Sequence, residues 1–231
     1  MISLLVVALA SFILFRLLGG TPHLPRRKHQ AGTNTTAKIE ELTEYASKLR
    51  GLRNYPAAEK IYLQILKLDH RHAETYTRLG TLYSILNNQT DAVECFQIAS
   101  QLNPTGATFH NLGLAYYENR NPMKAIAALE KSVMFEPTVQ RHLALAKALN
   151  KMGKGDQMIT ALEQAASLDP TTKVLWLLAD AYAAAGRRED QELVYERIRK
   201  VDPKDSRMKA MDKVTAAALT RQRQTVEKAK R

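Results

Sequence analysis

Residues 76–104 read YTRLGTLYSILNNQTDAVECFQIASQLNP, and residues 109–137 read FHNLGLAYYENRNPMKAIAALEKSVMFEP. Laid over one another, they put Leu79-Gly80 on Leu112-Gly113, Tyr83 on Tyr116, Ala92 on Ala125 and Pro104 on Pro137. The interval is 33 residues and it recurs, because Pro104, Pro137, Pro170 and Pro203 all stand 33 apart. A period of this size marks an array of stacked units. Each unit carries two apolar-periodic segments of about 13 residues, a helical pattern. Leu112, Ala115 and Tyr116 mark one helix, and Ala125, Ala128 and Leu129 the next. The small residues Gly80, Gly113, Ala146 and Ala179 let paired helices approach closely. Asn121-Pro122 supplies an N-cap and a proline for a first turn. Gly153 and Gly186 fall where a helix must stop. One helix pair cannot bury its apolar face alone, so neighbours must stack.

Three weaker copies align on the same frame. One carries Leu42, Tyr45-Ala46, Leu49, Ala58 and Tyr62, with His70 at the proline position. Another carries His142, Leu145-Ala146, Leu149, Met158, Leu162 and Pro170. The last carries Leu175, Leu178-Ala179, Tyr182, Gln191, Tyr195 and Pro203. The pattern resembles the tetratricopeptide repeat (TPR), W-x2-L-G-x2-Y, A-x3-F, P. Ankyrin repeats share the 33-residue interval, but their T-P-L-H signature is missing. The resemblance implies an all-α fold: a right-handed superhelix of five helix-turn-helix repeats over residues 39–72, 73–105, 106–138, 139–171 and 172–205. Residues 206–231 then form a capping helix with a basic tail. Met208, Met211, Val214, Ala218 and Leu219 are expected to line its inner face.

The two ends differ from this body. The chain has 231 residues, 45% apolar, with a net charge of +11. Residues 39–203 hold 20 basic and 20 acidic side chains, so the excess lies entirely outside them. A groove that tracks a phosphate backbone would carry its charge on the folded body, which disfavours a nucleic-acid platform. Residues 2–15, ISLLVVALASFILF, contain no charge and no proline. As a helix, residues 2–18 would span roughly 25 Å, just short of a hydrocarbon core. An uncleaved transmembrane anchor over residues 1–18 fits better than a cleaved signal, since no basic residue precedes the run. Residues 19–38 read as a flexible basic stalk. Arg16, Arg26, Arg27 and Lys28 follow the apolar run, where they meet the membrane surface and place the repeats in the cytoplasm.

No catalytic constellation is present in the sequence. Gly153-Lys154-Gly155-Asp156 lacks phosphate-loop spacing. His70 and His72 have no third metal ligand nearby. Cys95 is the single cysteine and lies on an apolar helix face. Neither enzyme activity, metal, cofactor nor small-molecule substrate is expected. The TPR resemblance implies instead that the first helix of each repeat lines a groove for a protein or peptide. Transferred position by position, that lining is Thr43 and Ser47; Thr77, Thr81 and Ser84; His110, Leu114 and Tyr117; Leu143, Lys147, Asn150 and Lys151; and Trp176, Asp180 and Ala183. Tyr117 and Trp176 are its large anchors, unless a one-residue slip buries Trp176 between helices. The Lys and Asn with which some TPR proteins grip a chaperone tail are replaced by Thr43, Ser47, Thr77 and Thr81. The expected function is a membrane-anchored scaffold. An exported protein with a cleaved signal, and an RNA adaptor using the basic tail, are the alternatives.

Overall fold

The computed structural model describes residues 32–214 together with 216 and 217. The segment read as a membrane anchor, Arg16, Arg26, Arg27, Lys28, and residues 218–231 lie outside the described residues. Among the described residues, no helix is long and apolar enough to cross a membrane. The chain divides into two compact units at Glu41–Leu42.

The first helix, α1 (Gly32–Gly51), starts inside the stretch read as a stalk. After Pro25 no proline intervenes, so nothing in the sequence stops a helix nucleated at Ile39 from extending backwards. Of the first unit, the described part is the opening of α1, where Lys38 pairs with Glu41 at 2.9 Å.

In the second unit, helical pairs succeed one another. They comprise the rest of α1 with α2 (Tyr55–Leu68), α3 (Ala73–Ile85) with α4 (Gln89–Leu102), and α5 (Gly106–Glu118) with α6 (Pro122–Phe135). Then come α7 (Val139–Lys151) with α8 (Gly155–Leu168), and α9 (Thr172–Ala184) with α10 (Arg188–Val201). Residues 206–214 are helical again, and the described residues contain no strand. From α3 to α9, each second helix packs on its own first helix and on the first helix of the next pair. Successive first helices also touch, α3 with α5 and α5 with α7. Second helices do not pack on one another to this extent among the described residues. First helices therefore line the tighter side of the stack.

The repeat signature explains the packing. A Cβ on Gly80 would sit 2.9 Å from the Phe96 ring, and one on Gly113 would sit 2.5 Å from Leu129 Cγ. The two helices of a pair approach closely because no side chain separates them there. Ala146 and Ala179 take the same place in the later pairs and are buried. Cys95 is also core, and burial pushes its thiol up to about 12, so it stays protonated. Polar contacts add to this packing. Within the α5–α6 pair, the Ser132 hydroxyl donates to the Gly106 carbonyl at 2.7 Å. Consecutive pairs are tied by the Tyr83 and Tyr182 hydroxyls, which donate to Glu59 and Glu163 at 2.7 and 2.5 Å respectively.

Each hairpin turn needs one residue in the left-handed region. Arg53, Asn87 and Arg120 supply it at φ 58°, 58° and 56°, and Gly153 and Gly186 at 68° and 72°. The next residue caps the second helix. Asn54, Asn88 and Asn121 accept side-chain bonds from the N–H groups of Ala57, Asp91 and Lys124. Lys154 and Arg187 provide no such bond.

The helix at 206–214 keeps the register, with Met208 standing 33 residues after Leu175. Met208 is 4% exposed, and Asp205 Oδ1 accepts from its backbone N–H at 2.7 Å. The expected apolar face is narrower than its sequence suggests. Val214 is 70% exposed, and Ala218 and Leu219 lie outside the described residues. No second helix covers Val214 among the described residues, and Asp212 stands where earlier first helices carry Gly or Ala.

Candidate functional site

The predicted lining residues fall on three parts of the first-helix face, and these differ chemically. On α3, the hydroxyls of Thr77, Thr81 and Ser84 donate to the carbonyls of Ala73, Thr77 and Gly80 at 3.2, 2.9 and 2.9 Å. Their protons are used within the helix, and only acceptor lone pairs face outward. Ser47 on α1 accepts from Arg78 at 3.1 Å, and the buried Thr43 hydroxyl has no hydrogen-bond partner. This end of the face is neutral and largely self-satisfied.

The middle, on α5 and α7, is open. Tyr117 is half-buried, and Lys147 Nζ lies 4.6 Å from the centre of its ring. That is a cation–π contact between two successive first helices. Leu114, at 37% exposed, adds an apolar surface beside it. Asn150 and Lys151 are exposed at the end of α7, while Leu143 is half-buried. A hollow of about 500 Å³ opens between His110 and Asn111 on α5 and Thr138, Val139 and Arg141 at the start of α7. Arg141 spans it, donating to the Glu136 carbonyl at 3.0 Å and pairing with the Glu136 carboxylate at 2.9 Å. His110 Nδ1 and Arg141 Nε are buried with no hydrogen-bond partner. Burial, reinforced by the Arg141 charge, holds His110 below its ordinary value, so it favours the neutral ring.

The C-terminal end, on α9, is closed. Trp176 is 8% exposed and does not stand free as an anchor. Its ring lies 5.6 Å from Tyr195 on α10, and it also carries the Arg207 guanidinium at 4.0 Å. The indole N–H points to Asp205 at 3.4 Å. Asp180 is exposed but paired, both of its oxygens accepting from Arg207 at 3.1 and 2.5 Å. Ala183 is exposed.

Arg141, Asp205 and Arg207 stand among the predicted lining residues, and sequence reasoning missed all three. Arg141 had a local signal, since it stands three residues after the N-cap Thr138 at the entrance to α7. Arg207 had none, because its partners are 27 and 31 residues away. Among the described residues, no group of three or more His, Cys, Asp or Glu side chains is placed to hold a metal ion.

Comparison with known proteins bears on the fold that carries this face. Tetratricopeptide repeat profiles match residues 73–105 and 143–206, so the chain carries such repeats in both halves of the array. Several solved structures share the fold. A structure of MamA superposes with a TM-score of 0.65 at 22% identity, covering 73% of this chain and 94% of that one. YrrB, described as a TPR protein with an unusual peptide-binding site, gives 0.61 at 20% identity, covering 78% and 97%. PilF of Pseudomonas aeruginosa gives 0.58 at 18%, covering 75% and 81%. No curated protein matches the chain in sequence. The described residues thus form an all-α solenoid that carries tetratricopeptide repeats.

Proposed function

We propose that the chain is a non-catalytic scaffold that holds a protein or peptide partner against its first-helix face. The observation that carries this reading is the open step between α5 and α7. There Tyr117, Lys147 and Leu114 offer an aromatic ring, a charge and an apolar surface together. Large aromatic side chains carry much of the energy at interfaces. YrrB, of similar fold, is described with a peptide-binding site, which supports a peptide as the class of partner. The anchor segment 1–18 tethers the scaffold to a membrane, and Arg16, Arg26, Arg27 and Lys28 keep the repeats on the cytoplasmic side. Tethering raises the local concentration of a bound partner without any new contact.

Affinity capture from native membranes tests this reading, with Tyr117→Ala and Lys147→Glu as controls. Loss of the captured protein in both variants, with helicity unchanged, is the expected result. Retention in both rules out the first-helix face as the docking surface. Protease added to intact cells tests the topology, with a tag at the C-terminus expected to stay protected. Cleavage of the tag would favour the exported alternative.

A further inference from the structure

We propose that Trp176 and Asp180 form a subsite for the guanidinium of an arginine side chain, and that Arg207 of this chain fills it as a built-in competitor. The proposal rests on the first-helix face being the binding surface, and it assigns that face one specific ligand chemistry.

Register places the subsite on the face. Trp176 stands 33 residues after Leu143 and 66 after His110, and Asp180 stands 33 after Lys147. The pair therefore continues the same row of outward positions. Its chemistry differs from the rest of the row. An aromatic plane and a carboxylate meet at one point, and the group between them is a guanidinium. Arg207 brings the centre of its guanidinium to 4.0 Å from the centre of the indole ring. It also sends two N–H bonds to the two Asp180 oxygens. Stacking together with a bidentate fork suits arginine and not lysine, whose ammonium has no plane to stack and no fork. Tyr195 backs the indole from α10, so the ring stays in place whether or not Arg207 is present.

The plug itself is lightly held. Arg207 and Asp180 side chains are both about half exposed to solvent. The remaining ties of helix 206–214 include the Met208 contact, the Asp205 cap and an exposed Arg199–Asp212 pair at 3.0 Å. Exposed pairs of this kind contribute little to stability, so the Arg207 side chain can swing off the ring at small cost while Met208 stays buried. Arg207 acts as an intramolecular competitor, and it lowers the apparent affinity for any external arginine in proportion to the time it occupies the site.

The chain contains a single tryptophan, so its one indole N–H resonance reports on the subsite directly. The full chain and its Arg207→Ala variant are titrated with Nα-acetyl-arginine methylamide, with the citrulline analogue as the uncharged control. The Arg207→Ala protein is expected to show a saturable indole shift with affinity about tenfold above wild type. The citrulline analogue is expected to give no saturable shift, and adding Asp180→Asn is expected to remove the arginine response. Equal responses in wild type and Arg207→Ala, an equal response to citrulline, or indifference to Asp180→Asn would each overturn the proposal. If Arg207→Ala loses helical signal, Arg207→Gln carries the same comparison, because glutamine keeps helix propensity but lacks the guanidinium. The scaffold reading is tested at Tyr117 and Lys147, so its failure is distinguishable from failure of the arginine subsite.

Discussion

The second and third repeats (α3–α6) and the fourth and fifth (α7–α10) meet the same period with different residues. The earlier pair uses glycine where helices touch, at Gly80 and Gly113, and places ordinary residues at the turns, Asn87 and Arg120. The later pair does the reverse. Ala146 and Ala179 stand at the helix contact, and Gly153 and Gly186 take the left-handed turn positions. The earlier turns are then secured by Asn88 and Asn121 caps, which the later ones lack. Close packing and turn formation are thus separable demands, and the array satisfies each locally.

That contrast can be broken by exchange. The largest effect is expected at Gly113→Ala, where the new methyl would press on Leu129, itself fully buried. Overpacking of this kind costs about 2 kcal/mol, read as a lowered denaturation midpoint. Gly186→Ala should cost about 1–2 kcal/mol, because a Cβ is penalised in the left-handed region. In the earlier turns Arg120→Gly should be stabilising or neutral, since relieved strain offsets the added chain entropy. Asn121→Ala should cost about 1 kcal/mol through the lost cap, while Lys154→Ala at the equivalent place should cost almost nothing. Equal losses at those two positions would erase the distinction between the halves.

The smallest expected effect concerns pH. His142 is buried at the position held by Tyr76, Phe109 and Leu175 in other repeats, and its Nδ1 has no partner. Burial lowers its pKa below the ordinary value near 6.5. The unfolded chain therefore binds the proton more readily, so stability falls as pH drops through about 6.5 and levels off below the folded value. His110 adds to the same trend. Melting curves should show a drop between neutral and mildly acidic pH that shrinks in His142→Phe. A drop of the same size in that variant would assign the effect elsewhere.

The repeat was legible because its signals are local and repeated. Leu79-Gly80 and Leu112-Gly113, the prolines, and Asn121-Pro122 each announce a structural demand within a few residues. Gly153 and Gly186 could be read as stops from residue type alone, whereas Arg53 and Arg120 could not, since arginine carries no preference for positive φ. The start of α1 was misplaced because Thr- and Gly-rich composition suggests a loop, while a helix already nucleated at Ile39 extends into its neighbours at low cost. The site was half legible. Counting in steps of 33 placed Tyr117, Lys147, Trp176 and Asp180 on the first-helix face. Whether each stands open or covered is decided by contacts distant in sequence. Tyr117 meets Lys147 and remains accessible, but Trp176 and Asp180 are engaged by Arg207.

The central claim is that partners dock on the first-helix face, at the step between α5 and α7. The most direct test places a photo-crosslinking amino acid at Tyr117 and, separately, at Met134, an 82% exposed residue on the second helix α6. Irradiation in native membranes should join a partner protein to the Tyr117 position and leave the Met134 position uncrosslinked. Crosslinking from Met134 alone would contradict the account.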